Sequence, residues 1–183
     1  VDVERLPPPE ALEARGAELT LTAEPQRLAP GLFSSGEVAR VTPYEEGRFP
    51  SAHVEEDGEW RHDQFRDDQS IVARFKDKGL VIITGCAHVG VVNTVKHAQA
   101  ITDEERVHAV IGGFHLTGAS PDVIQSTIEA MQATSPAVIV PMHCTGFEAK
   151  CAFAHEMPDC FALSSVGTRM SLPGSEPRRE VVV

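Results

Sequence analysis

The chain has 183 residues, which is enough for one domain with a hydrophobic core or for two small ones. Its 16 basic and 27 acidic residues give a net charge of −11, which disfavours binding to a nucleic-acid backbone or an anionic lipid surface. No apolar run approaches the roughly 20 residues that a membrane-spanning helix needs, and the polar start has no signal-peptide core. We therefore expect neither nucleic acid nor a membrane among the partners.

The first third of the chain is predicted to be a polar, loop-rich lead-in that covers residues 1–66. It begins with a short helix over residues 10–15, which Gly16 would end. Alternating apolar and polar residues predict a strand over residues 18–22. Residues 51–66 are strongly polar and are expected to form an exposed loop. This part of the chain is not expected to build a core alone.

Residues 67–172 are predicted to form the folded unit, because strand and helix patterns alternate there. Strands are predicted over residues 70–76, 79–84, 107–111, 137–140, 161–166 and 169–172. Helices are predicted over residues 91–101, 121–134 and 147–156. Residues 173–183 are expected to be a polar tail. The alternation indicates an α/β or α+β layer in which the helices cover one face of a sheet, and we expect the α+β class with a mixed sheet.

The cysteines all lie in the second half of the chain and form no CxxC pair. They are Cys86, Cys144, Cys151 and Cys160. A disulfide framework is typical of small secreted domains, whereas this chain is acidic and shows no signal peptide. We expect free thiols and a cytoplasmic protein.

Three of the predicted strands are each followed by a histidine at nearly equal spacing: His88, His115 and His143. Carboxyl ends of neighbouring parallel strands meet at one edge of a sheet, where ligands bind in open α/β folds. Three imidazoles at one edge suit a borderline-soft divalent metal such as zinc. A single histidine after a strand is more often a hydrogen-bonded loop residue, but the repetition favours a metal or catalytic site. The other histidines are expected to be solvated or structural: His53, His62, His97, His108 and His155.

Several segments of the chain together resemble a known family. They are GLVIITGCAHVGVV at 79–92, the following Asn-Thr pair, VIGGFHL at 110–116, PMHCTG at 141–146, PGLFSSGEVAR at 30–40, YEE at 44–46, DDQ at 67–69 and VGT at 166–168. These motifs resemble the metallo-β-lactamase superfamily. The likeness is greatest to its dihydropterin-type branch, the 7,8-dihydropterin-6-yl-methyl-4-(β-D-ribofuranosyl)aminobenzene 5′-phosphate synthase-like proteins. The resemblance covers residues 6–172.

The resemblance implies an αββα sandwich with a metal centre, usually zinc, at one edge between two similar halves. By this analogy His143 matches the last metal-binding histidine of the superfamily. The turn that contains Cys86 and His88 stands where many members carry a bridging aspartate, so His88 with Cys86 is expected to bind the metal. His115 is expected to be a ligand, a substrate contact or a proton carrier, and it is our catalytic candidate.

Substrate contacts are expected from Thr145, Gly146 and Asn93. The Thr145–Gly146 step opens a predicted helix, whose backbone N–H groups can hold the anion of a phosphorylated substrate. This signal is weak because helix N-termini are common. The segment from His143 to Lys150 also has a superficial likeness to a phosphatase loop, but a lysine is a poor substitute for the bidentate guanidinium that such a loop needs. Cys144 itself is equally explained as a small buried apolar residue.

One motif of the superfamily, HxHxDH, does not occur, since the chain contains no HxH. The chain also begins with valine. We therefore expect it to be the C-terminal half of a metallo-β-lactamase-fold hydrolase or transferase, with an incomplete metal site and no activity by itself. Its partners would be a small-molecule substrate and either the missing N-terminal half or a second copy. The alternative is a non-catalytic half-domain that acts by association with another chain or as a dimer.

Overall fold

The computed structural model describes residues 7–45 and 52–171. Its strands are β1 (Gln26–Ala29), β2 (Leu32–Ser34), β3 (His53–Glu56), β4 (Glu59–His62), β5 (Ser70–Phe75), β6 (Gly79–Thr84), β7 (Val107–Gly113) and β8 (Val138–Met142). Its helices are α1 (Pro9–Glu13), α2 (Val91–Thr102), α3 (Pro121–Thr134) and α4 (Phe147–Glu156). A 3₁₀ turn, His143–Thr145, precedes α4.

Six strands form a mixed sheet in the order β1-β2-β5-β6-β7-β8, and β3 pairs only with β4. The pairs β1–β2, β2–β5 and β5–β6 are antiparallel. Strands β6, β7 and β8 are parallel, with Ile82 opposite Val110 and Val110 opposite Ile139. Since α2 and α3 connect these parallel strands, all three carboxyl ends lie at the same edge of the sheet. This confirms the predicted α+β class.

The core lies between one face of the sheet and helices α2, α3 and α4. The strand residues that face the helices are almost fully buried: Val72, Leu80, Ile82, Val110 and Ile139. Apolar residues of the helices pack on them, among them Val95, Ile128 and Phe153. On the opposite face Ile71, Phe75 and Ile83 remain 36%, 37% and 44% exposed. As the sequence predicts, the helices cover only one side of an apolar sheet.

Local capping explains where the long helices begin and end. Ser120 accepts a hydrogen bond from the backbone N–H of Val123, and Pro121 occupies the first turn of α3. The helix ends at Ser135, whose φ of 48° lies in the left-handed region. These signals explain why the bounds predicted for α3 agree with the structure, and the bounds predicted for α4 agree as well.

The first third of the chain departs from the prediction in two places. Residues 18–22 are not a strand, and their two leucines are not buried among the described residues, with Leu19 38% and Leu21 82% exposed. The edge of the sheet is instead formed by β1 and β2. The segment predicted as an exposed loop contains the β3–β4 hairpin, whose turn residues Asp57 and Gly58 have φ of 54° and 80°. Asp-Gly is a strong signal for a two-residue hairpin turn, and it was overlooked among the surrounding charges.

The strands expected after α4 are also absent from the described residues. Only an isolated bridge joins Phe161 to Ile139, and the chain then continues as an irregular segment to residue 171. Leu172 and the predicted tail lie outside the described residues. In the part of the chain that the structure describes, no helix is both long and apolar enough to cross a membrane.

Candidate metal centre

The predicted edge site is organised by the ends of the three parallel strands. His88 lies in the loop after β6, His115 two residues after β7, and His143 directly after β8. At each strand end one non-glycine residue has a left-handed backbone: Ala87 at 55°, His115 at 49° and His143 at 47°. Such conformations are uncommon for residues other than glycine and cluster at functional sites. The expectation that all three histidines follow strands at one edge is therefore confirmed.

His88 and His115 form the first of two side-chain clusters at this edge. Their ring centroids lie 4.7 Å apart with the planes at 83°, an edge-on arrangement. The ring of Phe65 packs on the other side of His88, with centroids 4.5 Å apart. The adjoining cavity has a volume of only about 20 Å³, which is close to the space one water molecule needs. The cavity beside the histidine pair is therefore about the size of one water molecule, and the side chain of His88 remains 24% exposed.

The second cluster contains sulfur. The possible ligand atoms of Cys86, His143 and Cys144 all lie within 4.8 Å of one another. The thiol of Cys144 also donates a hydrogen bond of 3.4 Å to the carbonyl oxygen of Cys86. Among the described residues this is the group of His, Cys, Asp or Glu side chains that is compact enough to hold a metal ion. The three histidines therefore do not form one ligand set. Cys144 is not among the ligands predicted from the sequence, where it is equally explained as a small apolar residue.

Gly113, at the end of β7, makes space for the sulfur cluster. A Cβ atom at this position would lie 2.8 Å from the sulfur of Cys144 and 3.0 Å from the Cα of Cys86. Both distances are too short for ordinary carbon contacts, so any larger residue would push the two cysteines apart. The VIGGFHL motif thus contributes His115 and also the space that the cysteine pair occupies.

The donor set fits the metal that the resemblance implies. Thiolates and imidazoles suit zinc and similar soft divalent ions, whereas harder ions prefer carboxylate and carbonyl oxygens. Burial, followed by the nearby Cys144 thiol and its hydrogen bond, raises the pKa of Cys86 to about 11. Without a metal the Cys86 thiol is therefore protonated at neutral pH, and a metal must displace that proton on binding.

Asp68 and Arg40 hold the His88 loop from two sides. The carboxylate of Asp68 lies 3.9 Å from Nδ1 of His88 and accepts a hydrogen bond of 3.4 Å from the backbone N–H of Val89. Burial raises the pKa of Asp68, and the nearby His88 opposes that rise. Arg40 donates to the carbonyl oxygens of His88 at 3.0 Å and of Glu45 at 3.1 Å. Both residues belong to segments quoted for the resemblance, but sequence reasoning gave them no role.

Glu45 connects this loop to helix α2. Its buried carboxylate accepts hydrogen bonds of 2.8 Å from the backbone N–H groups of Val92 and Asn93, and one of 2.9 Å from the hydroxyl of Thr42. Burial raises the pKa of Glu45, and these hydrogen bonds partly offset the rise. Gly90 allows the close approach, because a Cβ there would lie 2.3 Å from the carboxyl carbon of Glu45. The helix start and the His88 loop are thereby fixed together.

The structure places the polar side chains expected to bind substrate within the protein scaffold. Asn93 is fully buried, and its amide accepts from the N–H of Thr42 at 2.9 Å and donates to the carbonyl of Val89 at 2.7 Å. Thr145 is fully buried as well, and its hydroxyl donates to the carbonyl of Met142 at 2.6 Å. We therefore assign the side chains of Asn93 and Thr145 to the support of the centre. Gly146 precedes α4 with a φ of 82°, and its substrate contact stays a prediction.

Comparisons with known proteins identify the family of this chain. No protein-family model matches the chain. Over 154 residues it is 36% identical to the 7,8-dihydropterin-6-methyl-4-(beta-D-ribofuranosyl)-aminobenzene-5′-phosphate synthase of Methanocaldococcus jannaschii, which covers 83% of this chain and 52% of that protein. It is 33% identical over 133 residues to an uncharacterized protein of the same organism, MJ0448, covering 73% of this chain and 47% of that one.

A solved structure shares the fold. It is the crystal structure of Tm1679, a metal-dependent hydrolase of the beta-lactamase superfamily, with a TM-score of 0.68 and 32% sequence identity. The match covers 80% of this chain and 55% of that one. The chain belongs to the metallo-β-lactamase superfamily. Within it, the chain falls with the dihydropterin-type synthase branch, and it spans about half the length of the relatives it matches.

Proposed function

We propose that this chain is the C-terminal half of a metal-dependent enzyme that acts on a small phosphorylated or pterin-like molecule. The observation that carries the proposal is the compact Cys86–His143–Cys144 cluster at the common end of the parallel strands. The relative named as a 5′-phosphate synthase and the neighbour named as a metal-dependent hydrolase support a small-molecule substrate and a metal. Neither name fixes the reaction of this protein.

The residues of the chain divide into metal-holding and proton-carrying roles. His143, Cys86 and Cys144 are the proposed ligands of the compact cluster. His88, which lies in the other cluster, is proposed to bind metal together with ligands that the second segment would supply. The bound metal, zinc or another divalent transition metal, would polarise the substrate and lower the pKa of a coordinated water. His115 is the proposed catalytic acid or base, because its ring lies 4.7 Å from His88 and an imidazole exchanges protons near neutral pH. The left-handed backbone of His115 fixes the direction in which its side chain leaves the end of β7.

The site of this chain is proposed to be completed by a second polypeptide segment. The chain has no HxHxDH motif, and one apolar face of its sheet is not covered by the helices. A segment that packs on this face would cover it and would also supply the ligands that the HxHxDH motif provides. The proposal includes a cytoplasmic location, because all four cysteines are free and a reducing compartment keeps thiols so.

Three histidine variants test the proposed roles in the assembled protein, in which the chain is combined with an HxHxDH-containing half. We expect His88→Ala and His143→Ala to lose both metal and turnover. We expect His115→Ala to keep the metal while turnover falls by about 10²–10⁴-fold, the usual contribution of general acid–base catalysis. Circular dichroism checks that each variant folds. Full metal content and full activity in all three variants would overturn the proposed site.

A non-catalytic half-domain that acts by association remains the second candidate, and the exposed apolar sheet face favours it. Ile71, Phe75 and Ile83 offer a surface of the kind that partners or second copies cover. Light scattering combined with metal analysis distinguishes the two functions. A stable dimer that binds no metal and shows no turnover with any HxHxDH-containing half would support the association role and contradict the enzyme.

A further inference from the structure

Two sulfur atoms of the metal centre are close enough to react with each other. Cys86 follows β6 and Cys144 follows β8, and β7 lies between these strands in the sheet. The sulfur atoms nevertheless lie within 4.8 Å of each other. A disulfide bond joins sulfur atoms at about 2.05 Å, so its formation requires them to approach by at most about 3 Å. A movement of that size is within the reach of side-chain rotation.

Gly113 at the end of β7 leaves the space in which the two cysteines meet. A Cβ atom there would lie 2.8 Å from the sulfur of Cys144 and 3.0 Å from the Cα of Cys86. The thiol of Cys144 also donates a hydrogen bond of 3.4 Å to the carbonyl oxygen of Cys86, so it is directed toward that residue. Both cysteines are only partly buried. The pair is therefore held together and remains accessible to a small oxidant.

The other two cysteines are placed differently. Cys151 is exposed on α4, and the sulfur of Cys160 donates a hydrogen bond of 3.7 Å to the carbonyl oxygen of Met157. Both sulfur atoms lie outside the metal centre. The fold thus brings together two particular thiols, Cys86 and Cys144, which are 58 positions apart in the sequence.

We propose that Cys86 and Cys144 form a site of reversible oxidation, at which a peroxide closes a disulfide bond and the metal is released. The thiolate of one cysteine attacks an oxygen of hydrogen peroxide, which breaks the O–O bond and gives a sulfenic acid and one water. The second sulfur then displaces the sulfenic hydroxyl as a second water, and the S–S bond forms. The two thiols together lose two electrons and two protons, all of which the peroxide takes up.

The disulfide and the metal exclude each other because both need the same two sulfur atoms. A thiolate is the form of cysteine that binds a metal, and the disulfide leaves His143 as the remaining donor of the cluster. Metal release rests on the proposed function, whereas the disulfide follows from the cysteine pair alone. A thiol reductant such as dithiothreitol cleaves the bond by thiol–disulfide exchange and restores the metal-binding thiols.

Peptide mapping of the metal-free chain tests the disulfide. The chain is treated with hydrogen peroxide, denatured in the presence of iodoacetamide, digested and analysed by mass spectrometry. In the folded chain we expect a peptide pair that links Cys86 to Cys144, no link to Cys151 or Cys160, and loss of the link after dithiothreitol. In guanidinium chloride we expect links between cysteines that are near in sequence, such as Cys144 and Cys151, because short loops close more readily. Absence of the Cys86–Cys144 link from the oxidised folded chain, or the same mixture of links in both states, would overturn the proposal.

Zinc binding tests the release of the metal. The oxidised chain should bind zinc at least about 100-fold more weakly than the reduced chain, since the loss of two ligands costs more than the roughly 10–100-fold effect of groups behind the ligands. Cys160→Ser is the matched control and should respond to peroxide as the wild type does. Equal zinc affinity of the oxidised and reduced chains would overturn the proposed release. If the reduced chain bound no zinc, the proposed function would fail, whereas the mapped link would still decide whether the oxidation site exists, so the two failures are distinguishable.

Discussion

Backbone conformation at single residues decides how the strand ends present their side chains. Ala87, His115 and His143 all adopt left-handed φ values directly after buried parallel strands. The strand ends could be predicted from the sequence, because apolar runs stop before each histidine. Which side chains lie together could not be predicted, because a residue with a left-handed backbone changes the direction of the chain. The hydrophobic periodicity of the sequence contains no signal for such a residue. For this reason His143 faces Cys86 and Cys144, and His88 faces His115.

The raised pKa of Cys86 predicts how fast this thiol reacts with iodoacetamide. Only the thiolate reacts, and burial beside Cys144 moves the pKa to about 11. In the metal-free chain the alkylation rate of Cys86 should therefore keep rising as the pH is raised from 8 toward about 11. Mass spectrometry of the peptides measures the rate for each cysteine.

The exposed Cys151 serves as the internal control, because it is accessible to the same reagent. At pH 8 it should react well ahead of Cys86. If Cys86 reacted as fast as Cys151, or its rate reached a plateau near neutral pH, the thiol would not be buried and shielded as described.

Asp68 is predicted to orient His88 for the metal. Asp68→Asn removes the negative charge 3.9 Å from Nδ1 and should lower zinc affinity by about 10–100-fold, as found for carboxylates behind metal-binding histidines. The nitrogen-15 shifts of the His88 ring should change in the metal-free protein as well. Asp67→Asn alters the exposed neighbouring residue and should leave both measurements unchanged. If the Asp68→Asn and Asp67→Asn variants bound zinc equally well, Asp68 would have a structural role and no role in metal binding.

At the scale of elements, the apolar runs of the core predicted its strands and helices, whereas the alternation of residues 18–22 predicted a strand that the structure does not contain. Helix α3 was predicted with its observed bounds because its capping residues and apolar spacing agree, and the bounds of α4 also match, although no side chain caps its start. The β3–β4 hairpin was missed because its strands have exposed, charged faces that lack the usual alternation. The start of α2 depends on Glu45, a residue far away in the sequence, and no local pattern could have revealed that contact.

Glu45→Ala should destabilise the fold through the start of α2. The change leaves the buried N–H groups of Val92 and Asn93 without their acceptor, at a cost of about 1–3 kcal/mol in the free energy of unfolding. Denaturant titration measures the loss. Glu37→Ala is the control, since it removes only an exposed pair with Arg66 and should cost less than about 1 kcal/mol. Equal losses in both variants would contradict the capping role of Glu45.

At the scale of the whole molecule, helices cover one face of the sheet, and apolar side chains of the other face remain exposed. The overall class and the one-sided cover of helices could be predicted, because every parallel strand is apolar along its length. What would cover the other face could not be predicted, since no pattern in these strands specifies a partner. The chain spans about half the length of the relatives it matches.

The exposed sheet face predicts self-association of the isolated chain. Ile83→Lys places a charge at the centre of the apolar surface and should shift the molecular mass measured by light scattering toward the monomer. Leu21→Lys is the matched control, because Leu21 is more exposed but lies outside the sheet. A monodisperse wild-type monomer with cooperative unfolding would show that the face needs no cover.

Titration of the metal-free chain with cobalt(II) tests the sulfur-containing metal centre most directly. Cobalt(II) takes the place of zinc, and each cobalt–thiolate bond absorbs in the near ultraviolet. We predict a saturable thiolate band that becomes smaller in Cys86→Ser and in Cys144→Ser and stays unchanged in Cys160→Ser, whose sulfur lies outside the cluster. The absence of a band in the folded wild-type chain, or a band of equal size in all four proteins, would contradict the account.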